Sequence, residues 1–323
     1  MPEDNRAAEI DLLTLHLQRI YVFPEVAERA IALLRERSAA NAYAGLDDQR
    51  FAELVTEHLL SVSGDKHLRL LHSVEELPEN EDPEWFDEDL YRAEAELSGH
   101  GFDRVERLAG NVGLLETTRL FDPDISGAAA AAAMNLLAGT DVLLLDLRRN
   151  GGGSPGMVAM LCSYLLKGSV HLCDMYFRAE DRTRQSWTLP YVPGPRFGHS
   201  KPVYVLTSAQ TFSGAEELAY NLQQLERATL IGEVTKGGAH PGNRQRIGPH
   251  LRAAVPAGRS INPVSGTNWE GVGVRPHLEL PAEQAFDRAY RLALEHVLGL
   301  GETGPRRVIA EQARVALAGL ARG

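Results

Sequence analysis

Apolar residues return every three or four positions through the first seventy residues, which is the period of an amphipathic helix. Ile10, Leu13, Leu17 and Ile20 form one stripe. Pro24 stands where a second helix can begin, and Val26, Ala30, Leu33 and Leu34 carry it on. Asp47 is placed to cap a third helix through Phe51, Leu54, Leu59 and Leu60, which Gly64 ends. His67–Leu71 then reads as a strand leading out of a small helical lobe.

The period changes beyond Gly110. Val112–Leu115 and Asp141–Leu147 read as strands, with an alanine-rich helix over Ser126–Ala138 between them. A glycine cluster, a helix over Pro155–Leu166, a strand at Val203–Leu206, a helix over Gly214–Leu225 and a strand at Thr229–Gly232 follow. This alternation predicts an α/β core. The glycine- and proline-rich region 237–280 carries short strands such as Leu251–Val255, and helices near Ala282–Leu298 and Arg306–Ala321 close the chain. The expected division is a helical lobe at 1–72, an acidic connecting segment at 73–109, a core at 110–300 and a C-terminal helix at 301–323. That last helix is expected to pack on the core, with dimerisation left open.

Composition narrows the function classes. The 44 Asp plus Glu outnumber 33 Lys plus Arg, giving a net charge of −11, which disfavours nucleic-acid binding in the absence of a basic patch. Nine of the acids fall between Ser73 and Tyr91 (Glu75, Glu76, Glu79, Glu81, Asp82, Glu84, Asp87, Glu88, Asp89), read first as a solvated loop and second as a rim that selects cationic substrates. No run approaches the ~20 apolar residues of a spanning helix. The start Met1-Pro2-Glu3-Asp4-Asn5 lacks a secretory pattern, so a cytoplasmic location away from membranes is expected. Cys162 and Cys173 are expected to be buried, inert thiols. The scattered histidines predict no metal and no cofactor.

Two segments carry candidate chemistry. Asp146-Leu147-Arg148-Arg149-Asn150-Gly151-Gly152-Gly153 ends a buried strand before a helix, and its glycines let backbone amides face an anion. Thr207-Ser208-Ala209-Gln210-Thr211-Phe212-Ser213-Gly214-Ala215-Glu216-Glu217 also joins strand to helix, with Ser213 placed either as a nucleophile or as the N-cap of a capping box with Glu216.

Together with Gly232-Glu233-Val234-Thr235 and Gly237-Gly238-Ala239, these segments resemble the C-terminal processing (tail-specific) serine peptidases, most of all the branch of tricorn protease and interphotoreceptor retinoid-binding protein. The resemblance runs from about Leu12 to about Leu298. It implies a crotonase-like α/β spiral, and the forty or so residues between Leu71 and Gly110 leave no room for the PDZ domain that many members insert. It also implies Ser213 as nucleophile and an oxyanion hole from Gly152 (Gly151 and Gly153 being near alternatives) and Gly214. The Ser-Lys members carry a lysine where this chain has Gly238, so Lys236 is only a reserve base. The tricorn-like branch instead implies His67 as general base and Glu270 as its orienting carboxylate, with His240 as a second candidate base. Lys66 stands where tricorn-like members have a serine, and His277 where the family motif ends in aspartate. The implied activity is hydrolysis of short or unstructured peptides, or of a small acyl substrate. The alternative is a non-catalytic binder of retinoid- or lipid-like ligands on the same fold.

Overall fold

The computed structural model describes residues 6–78 and 88–321. Met1–Asn5 and five of the acidic run (Glu79, Glu81, Asp82, Glu84, Asp87) lie outside them. In chain order the structure begins with α1 (Arg6–Ile20), α2 (Pro24–Ala39), α3 (Asp48–Ser63) and β1 (Arg69–His72). Next come α4 (Glu88–Leu97), β2 (Phe102–Leu108), β3 (Val112–Thr117), α5 (Pro123–Leu137), β4 (Val142–Asp146) and α6 (Pro155–Leu165). The middle of the chain supplies β5 (His171–Phe177), β6 (Arg182–Trp187), β7 (Val203–Thr207), α7 (Gly214–Gln224) and β8 (Thr229–Gly232). The rest is β9 (Gly242–Gly248), β10 (Leu251–Pro256), β11 (Gly258–Ile261), β12 (Leu278–Glu279), α8 (Ala282–Gly299) and α9 (Arg306–Leu320).

The chain forms two compact units, each discontinuous in sequence. The first draws on residues 1–87, 174–184 and 238–261, and the second on 88–173, 185–237 and 262–323.

In the first unit the local signals act as the sequence predicts. Pro24 occupies the first turn of α2, Asp47 Oδ1 accepts the Arg50 N–H at 2.7 Å, and Gly64 ends α3 at φ 66°. Leu13, Leu17, Leu34, Phe51, Val55 and Leu59 then bury against Leu251 and Val255. Each such side chain contributes roughly 1.5–3 kcal/mol on leaving water. Those last two belong to an antiparallel sheet of order β1-β10-β9. A second pairing sets Gly258 of β11 opposite Phe177 of β5.

The second unit is a six-stranded sheet of order β12-β8-β7-β4-β3-β2. All neighbours run parallel except the edge strand β2, which is antiparallel to β3. Every residue of β4 is buried, as a central parallel strand requires. Val112, Val142 and Leu144 pack under the alanine stripe Ala285, Ala289, Ala293 of α8, and α9 joins through Ala313. Ser154 and Asp122 cap α6 and α5, each followed by proline. The molecule is thus a mixed α/β protein.

One expectation needs correction. The segment 73–109 is not only connecting chain, because it contains α4 and β2. Glu88 and Asp89, the first described residues of α4, are helical and exposed. The alternating charges of β2 suit an edge strand. Cys162 and Cys173 are both free and buried, and burial pushes the Cys162 thiol's pKa far up. Among the described residues no helix is long and apolar enough to cross a membrane.

Candidate active site

In the second unit two strand-to-helix turns interlock at the carboxyl ends of β4 and β7. Thr211 Oγ1 donates to Leu147 O at 2.8 Å, and Ser208 Oγ to Arg148 O at 2.5 Å. Asn150 is fully buried and ties the turns together. Its Nδ2 donates to Thr117 O at 3.0 Å, and its carbonyl accepts the Phe212 N–H at 3.1 Å. Gly152 has φ +100°, and a Cβ there would lie 2.7 Å from Phe212 O and 2.8 Å from Ser213 Cβ. The glycine is therefore required twice, by conformation and by contact.

Ser213 sits at the sharp end of the second turn with φ 53° and ψ −121°. That conformation is costly for a residue with a side chain, by about 1–3 kcal/mol, and it falls on a strand-to-helix turn. Ser213 and Glu216 form a capping box at the start of α7. Glu216 supplies its reverse half, Oε2 accepting the Ser213 N–H at 2.8 Å. The other oxygen, Oε1, accepts Thr235 Oγ1 at 2.5 Å and the Gly237 N–H at 2.6 Å, and Thr235 Oγ1 in turn accepts the Val274 N–H at 2.7 Å. A fully buried carboxylate thus pins the strained serine and the 235–237 segment at once.

The Gly152 N–H, expected to face an oxyanion, donates to Asn150 Oδ1 at 2.8 Å. Gly153, its near alternative, lies against Gly214, where an added Cβ would be 3.0 Å from Gly153 N. Lys236 is exposed and sets its Nζ 4.8 Å above the Phe212 ring, the position of a surface cation on an aromatic face. Glu270 is half-buried, with its N–H on Asn268 Oδ1 at 2.9 Å. The preceding loop leans on α7, Trp269 packing 5.3 Å from the Tyr220 ring. His277 completes the sheet edge: its N–H donates to Leu230 O at 3.0 Å and its Nδ1 accepts the Leu230 N–H at 2.9 Å.

The two candidate bases, His67 and His240, lie in the first unit. His67 is in the turn before β1, and its N–H is held by Asp65 Oδ1 at 2.9 Å, an Asx-type turn. Asp65 itself is buried. Its Oδ2 accepts the Tyr21 hydroxyl at 3.2 Å and lies 3.1 Å from His240 Nδ1, while Phe23 meets the His240 ring edge-on at 5.0 Å. A carboxylate oxygen at 3.1 Å accepts a hydrogen carried on Nδ1, which selects the ring tautomer of His240. Sequence reasoning missed Asp65. The signal available was an Asp two residues before His67, which suggests a turn but not a partner 175 residues away.

The model of peptidase family S41 matches residues 111–280 of the chain. Three solved structures are similar to it. A lipoprotein from Streptococcus agalactiae is 17% identical with a TM-score of 0.60, over 90% of this chain and 96% of that one. A candidate peptidase from Parabacteroides merdae is 16% identical with a TM-score of 0.60, over 94% and 98%. The photosystem II D1 C-terminal processing protease is 15% identical with a TM-score of 0.52, over 88% and 94%. Likeness at this level is a likeness of fold.

Proposed function

The chain belongs to peptidase family S41 and is a serine-type peptidase; on that premise we propose that it cleaves short or unstructured peptides through an acyl-enzyme on Ser213. His67 is the general base of this reading and Glu270 the carboxylate that favours its imidazolium, as in tricorn-like members. Ser213 Oγ attacks the scissile carbonyl as His67 takes its proton, and the histidine returns that proton to the leaving amine when the C–N bond breaks. Water then hydrolyses the ester with the same histidine as base. Backbone N–H groups of Gly214 and Gly153 suit the oxyanion, since the Gly152 N–H is occupied.

The observation that carries this reading is the Ser213 backbone at φ 53°, strained on a strand-to-helix turn and clamped through its N–H by Glu216. The 72–109 interval is short for an inserted PDZ domain, which supports trimming of small peptides over processive tail-specific cleavage. A second reading moves the base to His240, and the buried Asp65–His240 pair favours it.

Fluorophosphonate labelling with peptide mapping tests both. Labelling of Ser213 that is lost in Ser213→Ala and in His67→Ala is the expected result. Loss in His240→Ala alone would transfer the base to the second reading. An unlabelled wild type that co-purifies with a lipid would replace catalysis by apolar-ligand binding.

A further inference from the structure

Glu217 takes no part in the chemistry above. Its carboxyl is only 3% exposed, and its Oε1 accepts no hydrogen bond among the described residues. It lies one turn beyond the nucleophile, its N–H bonded to Ser213 O at 2.9 Å. One turn further along α7, Asn221 Oδ1 accepts Asn262 Nδ2 at 3.1 Å. Asn262 then organises the loop that leads to Glu270. Its Oδ1 accepts the Val264 and Ser265 N–H groups at 3.0 and 3.2 Å, and its own N–H donates to Thr267 O at 2.8 Å. Tyr220 adds a hydroxyl bond to Ser265 Oγ at 3.0 Å and its ring contact with Trp269. One helix therefore carries Ser213 at its tip and the Glu270 loop along its side.

We propose that Glu217 is a positioning residue whose neutral carboxyl keeps α7 seated on α6, so that its ionisation loosens the Ser213 turn and the Glu270 loop together. This rests on the reading of Ser213 and Glu270 given above. The physical reason is that a carboxylate in a dry site without a cation must draw in water or move out. From α6 the titratable group turned toward it is Cys162, itself held neutral by burial. No described cation from β8 or the 262–269 loop acts on it, and on α7 a hydrogen bond from Asn221 favours the anion against the larger effect of burial. Burial raises the Glu217 pKa to about 7, so this proton leaves near the pH at which a histidine base becomes active.

The test is the pH dependence of wild type and Glu217→Gln, read two ways. In kcat/KM on a peptide substrate, wild type should rise with the histidine and fall again above pH ~7, whereas Glu217→Gln should rise to a plateau. At pH 8.5 the variant should exceed wild type by roughly three- to tenfold, and at pH 6 match it within about twofold. In amide hydrogen exchange, segment 262–270 should lose protection in wild type between pH 6 and 8.5 beyond the intrinsic rate change, and keep it in the variant. Asn262→Ala should expose that segment at both pH values. Superimposable profiles, or equal protection in wild type and variant, overturn the proposal. Fluorophosphonate labelling separates the two readings. A protection difference without Ser213 labelling removes the nucleophile and keeps the helix–loop tie, and labelling without the difference does the reverse.

Discussion

The turns around Ser213 and the cluster around Asp65 are built from opposite materials. The first is backbone: glycine amides and carbonyls packed so closely that a Cβ at Gly152 has no room, with side chains only stapling the edges. The second is side chain throughout, with Tyr21, Asp65 and His240 gathered from three remote stretches. Backbone sites are held by local spacing and side-chain sites by tertiary folding. The first kind fails by steric clash and the second by loss of one partner.

Substitutions sharpen that contrast, beginning with the largest effect. Ser213→Ala should lower kcat by about 10⁴- to 10⁶-fold in a peptide cleavage assay while leaving the fold intact, because the Glu216 bond is to the backbone. His67→Ala should cost about 10³- to 10⁴-fold. Beside it, Asp65→Asn keeps a carbonyl for the His67 N–H but removes the anion facing His240, and should cost no more than about tenfold. A loss in Asp65→Asn as large as that of His67→Ala would move the base to His240.

Stability comes next. Because the folded Glu217 pKa of about 7 lies above its ordinary 4.5, this group's contribution is complete below pH 4.5 and is lost as pH rises toward 7. Against Glu217→Gln, wild type should lose about 2–3 kcal/mol across that window in denaturant titrations. Thr235→Val leaves Glu216 Oε1 and the Val274 N–H each short of a bond, and should cost about 1–2 kcal/mol in the same experiment. Smallest of all, His277→Ala removes the acceptor for Leu230 and should cost about 1 kcal/mol without changing kcat/KM. A kinetic effect there would bring the sheet edge into the site.

Legibility in the sequence follows the same division. The helices α1 to α3, the β4 and β7 turns and the helix after Ser213 were all readable, since caps, prolines and glycines act over a few residues. Helix α4 and strand β2 were obscured by a charge run that reads as solvated loop, although alternating charges also suit an edge strand. Ser213, Gly152 and Gly214 could be named through the family resemblance, yet the Asn150 side-chain Oδ1 that occupies the Gly152 N–H could not. Asp65 stayed hidden because nothing near it in sequence reveals its 175-residue reach to His240. His277, set apart from the family pattern by its identity, is explained by a bond to Leu230 that only pairing geometry reveals.

The discontinuity of the first unit sets a schedule for synthesis. Strand β1 finds its neighbour only in β10, and Leu251 and Val255 complete the core begun by Leu13 and Phe51. The amino-terminal helices therefore leave the ribosome with an open apolar face and wait while some 180 further residues are made. During that interval the nascent chain is a natural client for a holding chaperone. Any shortened version that stops before Ile261 should emerge sticky and protease-sensitive, however well its helices are formed.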